Sequence, residues 1–198
     1  MDVLVRSVSD SCIVKGSRFL AELLVCPSQA ETRSLIKAQK DRYKDATHVV
    51  HAFVVGDGAE VTGMSDDGEP SGTAGRPVLD VLRGRNCTNT LLTVTRWFGG
   101  TLLGTGGLVK AYGNAAKSVI AAAAEQGAFE ELVSKKEFAF DAEYVLYEKI
   151  RRMMSAYHLY GVTETFAAGV AVGGSIRADE FEKFAAQLRD VSNGRISI

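Results

Sequence analysis

The sequence has no long apolar run, no excess of charge of either sign and no pair of closely spaced cysteines. Lys plus Arg total 23 and Asp plus Glu total 24 among the 198 residues, which gives a net charge of −1. This balance excludes a histone-like basic protein and an acidic disordered tail, so any contact with nucleic acid has to be local. No stretch approaches the ~18 apolar residues of a membrane-spanning helix, and we expect no membrane association.

The cysteines and the first residues favour a cytoplasmic protein. Cys12, Cys26 and Cys87 form no CxxC pair. The first eight residues include Asp2 and Arg6 and lack the apolar core of a secretory signal. An odd number of cysteines without such a signal is typical of a reducing compartment, where we expect buried thiols.

The histidines do not indicate a catalytic triad. His48 and His51 lie three apart on a predicted strand and therefore face opposite sides, while His158 lies far along the chain. No serine occupies a GxSxG turn, and no cysteine has a credible His–Asp relay. These observations argue against a nucleophilic hydrolase. Our leading expectation is a non-enzymatic protein with no catalytic residue, no metal site and no cofactor, and an enzyme stays open as an alternative.

Hydrophobic periodicity predicts an α+β protein with two domains, residues 1–127 and 128–198. A capping box of Ser28 and Glu31 is expected to begin the first helix. From the N-terminus, the elements predicted for the first domain are strands flanking a polar turn at 9–11, a strand at 19–26, a helix at 28–43, a strand at 47–55, a return strand from about 60, a helix from about 77 to 84, a strand at 89–97 and a helix from 108 to about 125.

The second domain shows a β-α-β-β-α-β order, which is typical of the split βαβ, ferredoxin-like fold. Its predicted elements are a strand at 132–140, a helix at 143–158, strands at 160–166 and 169–175, a helix at 177–190 and a strand at 194–198.

Glycine is concentrated in the first domain: 13 of the 20 glycines lie between Gly56 and Gly113. Part of this cluster is the acidic segment, residues 66–75, which also carries three carboxylates and two hydroxyls. Such clustering suits a cation or a polar ligand, and the alternative is an acidic turn that leads into a capped helix. The candidate binding residues of the acidic segment are Asp67, Gly68, Glu69, Ser71, Gly72 and Thr73.

The second glycine-rich stretch, which we call the glycine segment, spans residues 96–108 between a predicted strand and a predicted helix. Free N–H groups and the positive end of the helix dipole make such a helix start an anion site. Its first residues pair a cation with aromatic rings that suit stacking on bases, although close packing and a core position are the alternatives. The candidate binding residues are Arg96, Trp97, Gly99, Gly100, Gly104, Thr105, Gly106, Gly107 and Lys110.

Taken together, the two segments resemble the signature of the Impact family, in particular its bacterial YigZ branch. The resemblance rests on DGEPSGTAGRPVL at Asp67–Leu79, on RWFGGTLLGTGGLVKAY at Arg96–Tyr112 and on KGSRF at Lys15–Phe19. It covers nearly the whole chain, and Trp97 stands where the family usually has tyrosine.

The resemblance implies a ribosomal protein S5 domain 2-like N-terminal domain, a βαβ arrangement shared with domain IV of elongation factor G. It implies a small ferredoxin-like C-terminal domain similar to domain V of the same factor. Eukaryotic Impact is a translational regulator that competes for the activator of a kinase. Bacteria lack that pathway, so its partner is not carried over to this sequence.

Three hypotheses follow. The first is a non-enzymatic protein that binds RNA, the ribosome or the translation machinery through the glycine segment and the Arg96–Trp97 surface. The second is an enzyme or a sensor for a small phosphorylated ligand such as a nucleotide, with Mg²⁺ held by Asp66, Asp67 or Glu69. The third is a protein-interaction module. Whether Arg96 is exposed or pairs internally with Glu69 stays open at this point.

Overall fold

The computed structural model describes residues 1–198, which divide into two compact units, Met1–Leu132 and Val133–Ile198. This division lies beyond the expected boundary at 127/128, because Phe129–Glu131 forms a strand that pairs with Asp2–Leu4. None of the helices combines the length and the apolar character that crossing a bilayer requires.

The first unit alternates strands and helices. Its elements are β1 (Asp2–Leu4), β2 (Val8–Val14), β3 (Ser17–Val25), α1 (Gln29–Arg42), β4 (His48–Val55), β5 (Val61–Ser65), α2 (Gly75–Gly84), β6 (Cys87–Thr88), β7 (Thr90–Trp97), α3 (Thr105–Glu125) and β8 (Phe129–Glu131).

A five-stranded antiparallel sheet, in the order β2-β3-β7-β4-β5, forms the centre of this unit. Successive side chains of a strand point to opposite faces. Leu92 and Val94 of β7 join the main core with α2 and α3, whereas Leu91 joins a smaller cluster with Leu35 and Ile36 of α1. The sheet therefore has α2 and α3 on one face and α1 on the other, with β7 in the middle.

Three details of the predicted first unit are wrong. Residues 9–11 lie inside β2, where alternating polar residues occupy the exposed side of an edge strand, and the turn is at Lys15 and Gly16. Helix α3 begins at Thr105 rather than at residue 108. Ser28 does precede α1, but its hydroxyl donates to the Glu31 carboxylate at 3.3 Å instead of capping the backbone.

The second unit contains a three-stranded sheet in the order β10-β11-β9 with its own core. The strand predicted at 194–198 does not form: Ile196 is buried in this core, but the segment has no ladder partner. The elements are β9 (Lys135–Ala142), α4 (Tyr144–Met154), β10 (Leu159–Phe166), β11 (Val170–Arg177) and α5 (Phe181–Val191).

Candidate ligand pocket at the end of the central strand

The site begins with a row of three side chains across the central strands. Arg96, near the end of β7, lies directly opposite Phe19 of β3 on one side and His48 of β4 on the other. Directly opposed residues of antiparallel strands point to the same face. The row therefore lies on the face that α2 and α3 cover.

A buried carboxylate from the acidic segment completes the row. Arg96 donates from Nη1 to Oε1 of Glu69 at 2.6 Å, and the Tyr112 hydroxyl of α3 donates to the same oxygen at 2.7 Å. Only 5% of Arg96 and 8% of Glu69 are exposed. Burial and the neighbouring Glu69 carboxylate both raise the pKa of Tyr112. The two segments thus converge through an internal Arg96–Glu69 ion pair.

The guanidinium of Arg96 is held by more than the carboxylate. It donates from Nη2 to the Ser17 hydroxyl at 3.3 Å and lies between the rings of Phe19 and Phe98, 5.5 and 5.6 Å from their centroids. Its Nε atom is buried without a hydrogen-bond partner. Of the two alternatives that the sequence left open for Arg96, the structure shows the internal pair with Glu69, and the guanidinium is not presented on an exposed surface.

Trp97 lies on the opposite face of the sheet, since adjacent residues of a strand point in opposite directions. Its indole N–H donates to Asp45 at 2.8 Å, the Arg18 guanidinium lies 3.7 Å from its ring centroid, and the edge of Tyr43 packs against it. The predicted joint surface of Arg96 and Trp97 therefore does not exist.

The acidic segment is anchored by its own carboxylates. Asp67 pairs with Lys40 and accepts a hydrogen bond from the backbone N–H of Val49 at 2.6 Å. Asp66 accepts from three backbone N–H groups, those of Gly72, Ala74 and Gly75, at the start of α2. No group of three His, Cys, Asp or Glu side chains is placed to hold a metal ion. The carboxylates that the second hypothesis assigned to Mg²⁺ are thus engaged by protein donors.

Asp66 substitutes for a missing helix cap, because the residue before α2 is Ala74, which has no capping side chain. Burial acts to raise the pKa of Asp66, but the three backbone hydrogen bonds outweigh it and leave the pKa below its ordinary value. We expect Asp66→Ala to lower the free energy of unfolding by about 1–2 kcal/mol at neutral pH, measured by urea denaturation.

The same carboxylate gives this loss a pH dependence. A group with a lowered pKa stabilises the fold fully above its unfolded pKa of about 3.9, and this stabilisation is lost as the pH falls through the folded pKa. The difference in the free energy of unfolding between Asp66→Ala and the wild type is expected to become smaller below about pH 4. Asp57→Ala, in an exposed turn, is the matched control, and an equal loss in both variants at neutral pH would contradict the capping role.

A concave pocket of about 480 Å³ opens above the buried row. Its floor includes His48, Glu69 and Arg96, and exposed apolar side chains border it, with Phe98 45% and Leu102 82% exposed. The remaining lining residues are Thr47, Gly68, Pro70, Leu103, Gly104, Thr105 and Leu108.

The same pocket includes the start of α3. The first helical hydrogen bond runs from the N–H of Leu108 to the oxygen of Gly104, and Gly104 provides no side-chain cap. The N–H groups of Thr105, Gly106 and Gly107 therefore have no partner in the protein. Such groups, together with the helix dipole, favour an anion.

The other predicted site residues lie outside the pocket lining. Ser71 and Gly100 are exposed, and Lys110 is exposed on the second turn of α3. The hydroxyl of Thr73 donates to the oxygen of Pro70 at 2.6 Å, and Gly72 donates to Asp66 as described above. Gly99 packs against the β2–β3 turn and donates to the Ser17 hydroxyl at 3.2 Å.

Residues 15–120, which contain the whole pocket, match the family model of the Impact N-terminal domain. The chain belongs to the IMPACT family. The family member of Haemophilus influenzae is 32% identical over 187 residues, covering 93% of this chain and 89% of that protein. Escherichia coli YigZ is 31% identical, covering 93% and 90%.

A solved structure agrees with the fold over the full length. The crystal structure of a hypothetical protein superposes with a TM-score of 0.69 at 29% identity and covers 100% of this chain and 96% of its own. The resemblance that the motifs indicated is therefore confirmed at the level of the IMPACT family.

The IMPACT-type motifs contain most of the pocket, but the sequence-based site omitted seven of its twelve lining residues: Thr47, His48, Pro70, Phe98, Leu102, Leu103 and Leu108. His48 lies on β4, three strands before the strand of Arg96 in the chain, and only the β4–β7 register places it beside Arg96. Phe98 and Leu102 were available as large apolar residues among glycines, and nothing local distinguishes an exposed rim from a core position. The prediction that His48 and His51 face opposite sides is confirmed, since only His48 lines the pocket.

Proposed function

We propose that this protein is a non-enzymatic RNA-binding protein of the translation machinery, acting in the cytoplasm, and that its pocket holds one nucleotide of single-stranded RNA. The observation that carries the proposal is the combination of the exposed ring of Phe98 with Gly104 and Thr105, at the uncapped start of α3, in the lining of one cavity. Aromatic side chains stack on unpaired bases, and helix N-termini bind phosphate. The role in translation rests on family membership.

The charges around the pocket support a modest, local attraction for a phosphate backbone. Arg96 and Glu69 neutralise each other at the floor. Lys110 on α3 and Lys15 in the β2–β3 turn, which packs against Gly99, form no ion pair. We expect RNA binding to weaken as the salt concentration rises. The slope of log affinity against log salt concentration is expected to be small, because few phosphates are neutralised.

We also propose that the two compact units are the two expected domains. The antiparallel sheet with α2 and α3 on one face supports the S5 domain 2-like assignment for the first unit. The β-α-β-β-α order supports a ferredoxin-like second unit that lacks the last strand.

A small phosphorylated ligand is the second candidate, favoured by the concave shape of the pocket. At about 480 Å³, the cavity is within the range of small-molecule sites. A protein partner is the third candidate, and the 82% exposure of Leu102 favours it. The second candidate is separated from the RNA proposal by measuring a mononucleotide beside an oligonucleotide.

Phe98→Ala is expected to weaken binding of a fluorescent eight-residue RNA by about 5- to 150-fold, because stacking of a base contributes about 1–3 kcal/mol. The matched control is Phe166→Ala, which removes an exposed phenylalanine from the second unit and is expected to leave affinity unchanged. Fluorescence anisotropy at low and moderate salt measures both.

Lys110→Ala tests the electrostatic contribution in the same experiment. Loss of one phosphate contact is expected to lower the slope of log affinity against log salt concentration by about one. Wild-type binding that Phe98→Ala leaves intact would place the RNA elsewhere on the protein. Absence of any RNA binding at low salt would contradict the proposal. Tight binding of a mononucleotide with no gain from the longer RNA would favour the second candidate.

A further inference from the structure

Two hydrogen-bond acceptors face each other on the floor of the pocket. Nδ1 of His48 lies 2.7 Å from the backbone oxygen of Asp67, and a carbonyl oxygen can only accept. When the imidazole is neutral, Nδ1 therefore carries its proton and Nε2 presents a lone pair. Nε2 lies 3.8 Å from Oε1 of Glu69, which is also an acceptor.

The carboxylate of Glu69 has further accepting capacity. Its Oε1 atom receives the hydrogen bonds of Arg96 and Tyr112, whereas Oε2 receives none from the protein. Oε2 is not among the enclosed side-chain atoms that lack a partner, so it remains accessible in the pocket that Glu69 lines. Nε2 of His48 and Oε2 of Glu69 therefore each have accepting capacity that no hydrogen bond of the protein uses.

We propose that these acceptors recognise the exocyclic amino group of the base held in the pocket. The free acceptor Oε2 belongs to the same carboxylate as Oε1, which lies 3.8 Å from Nε2, so one donor atom placed between the imidazole and the carboxylate can lie about 3 Å from both Nε2 and Oε2. An amino group has two hydrogens and satisfies both His48 Nε2 and the Glu69 carboxylate, whereas a hydroxyl has one hydrogen and satisfies only one. The pocket thus prefers adenine, cytosine or guanine to a base without an amino group.

This inference rests on the proposed RNA binding, and its test separates the two. Three labelled eight-residue oligomers are compared on the wild-type protein: oligoadenylate, an oligomer of purine riboside, which lacks the amino group, and oligodeoxyadenylate, which lacks the 2′-hydroxyl. We expect oligoadenylate to bind about tenfold more tightly than the purine riboside oligomer. We expect the deoxy oligomer, which keeps the amino group, to bind about as tightly as oligoadenylate.

His48→Asn is the matched variant for this site. The side-chain amide of asparagine can keep the donation to the Asp67 oxygen and lacks an atom at the position of Nε2. The variant is expected to reduce the tenfold amino preference to about threefold or less while retaining the wild-type unfolding temperature and the dependence on Phe98.

The outcomes are distinct. Equal affinity for the adenylate and purine riboside oligomers, with binding still dependent on Phe98, overturns the amino assignment and leaves the proposed function intact. A loss confined to the deoxy oligomer overturns it in favour of the ribose hydroxyl. If none of the oligomers binds, the proposed function fails and the amino assignment fails with it.

Discussion

Arg96→Met is expected to lower the free energy of unfolding by about 3–5 kcal/mol, because it removes one partner of a buried ion pair. Glu69 would remain enclosed, with only the Tyr112 hydroxyl as a strong donor to its carboxylate. Urea denaturation followed by circular dichroism measures the loss. Arg76→Met is the matched control, since Arg76 and Asp80 form an exposed pair on α2, and a much smaller loss is expected there.

Removing both partners of the buried pair distinguishes the desolvation of a lone charge from simple loss of packing. We expect the double variant Glu69→Leu, Arg96→Met to be more stable than Arg96→Met alone, because no unpaired charge is then buried. If Arg96→Met costs no more than the control at Arg76, the pair is not enclosed as described. The description of a buried Arg96–Glu69 pair at the floor of the pocket would then be wrong.

Gly99→Ala is expected to lower the free energy of unfolding by more than about 3 kcal/mol. A Cβ atom on Gly99 would lie 1.9 Å from the carbonyl carbon of Gly16 and 2.3 Å from the backbone nitrogen of Ser17. Backbone atoms cannot rotate aside as a flexible side chain does. The β2–β3 turn would have to separate from the glycine segment, and the Ser17 contacts to Gly99 and Arg96 would be lost with it.

A second glycine of the same segment provides the control for Gly99→Ala. A Cβ atom on Gly106 would meet nothing within 4 Å, and Gly106 lies in the first turn of α3. Gly106→Ala is therefore expected to be neutral or to raise the free energy of unfolding by up to about 1 kcal/mol. Similar unfolding curves for the two variants would contradict the close approach of Gly16 and Gly99.

Local patterns predicted the elements of this fold because their causes are local. The β-branched run of β4 and the 3.6-residue spacing in α3 are properties of short windows of sequence. The prediction at 194–198 failed because Ile196 and Ile198 alternate as in a strand, whereas strand formation also requires an available ladder partner. Alternation of apolar residues indicates which side chains are buried, but it does not identify a neighbouring strand for the segment to pair with.

The site was less accessible to prediction, since it depends on contacts between distant segments. Nothing in the sequence states that β3, β7 and β4 are neighbours, and only that order brings Phe19, Arg96 and His48 into one row. Strand alternation does separate Arg96 from Trp97, and the expectation of a shared surface overlooked it. The anion site at Gly104–Gly107 remains a prediction. Unpaired N–H groups are able to bind an anion, but they do not show that one is bound.

The most direct measurement is the response of backbone amides to RNA. The ¹⁵N-labelled protein is titrated with single-stranded RNA, and its amide chemical shifts are recorded by NMR. We predict the largest shifts at Thr105, Gly106 and Gly107, with Phe98 beside them, and only small ones in α1 and in the second unit. Saturating RNA that leaves these amides unmoved, or that moves only amides outside the pocket, would contradict the assignment of the pocket as the RNA site.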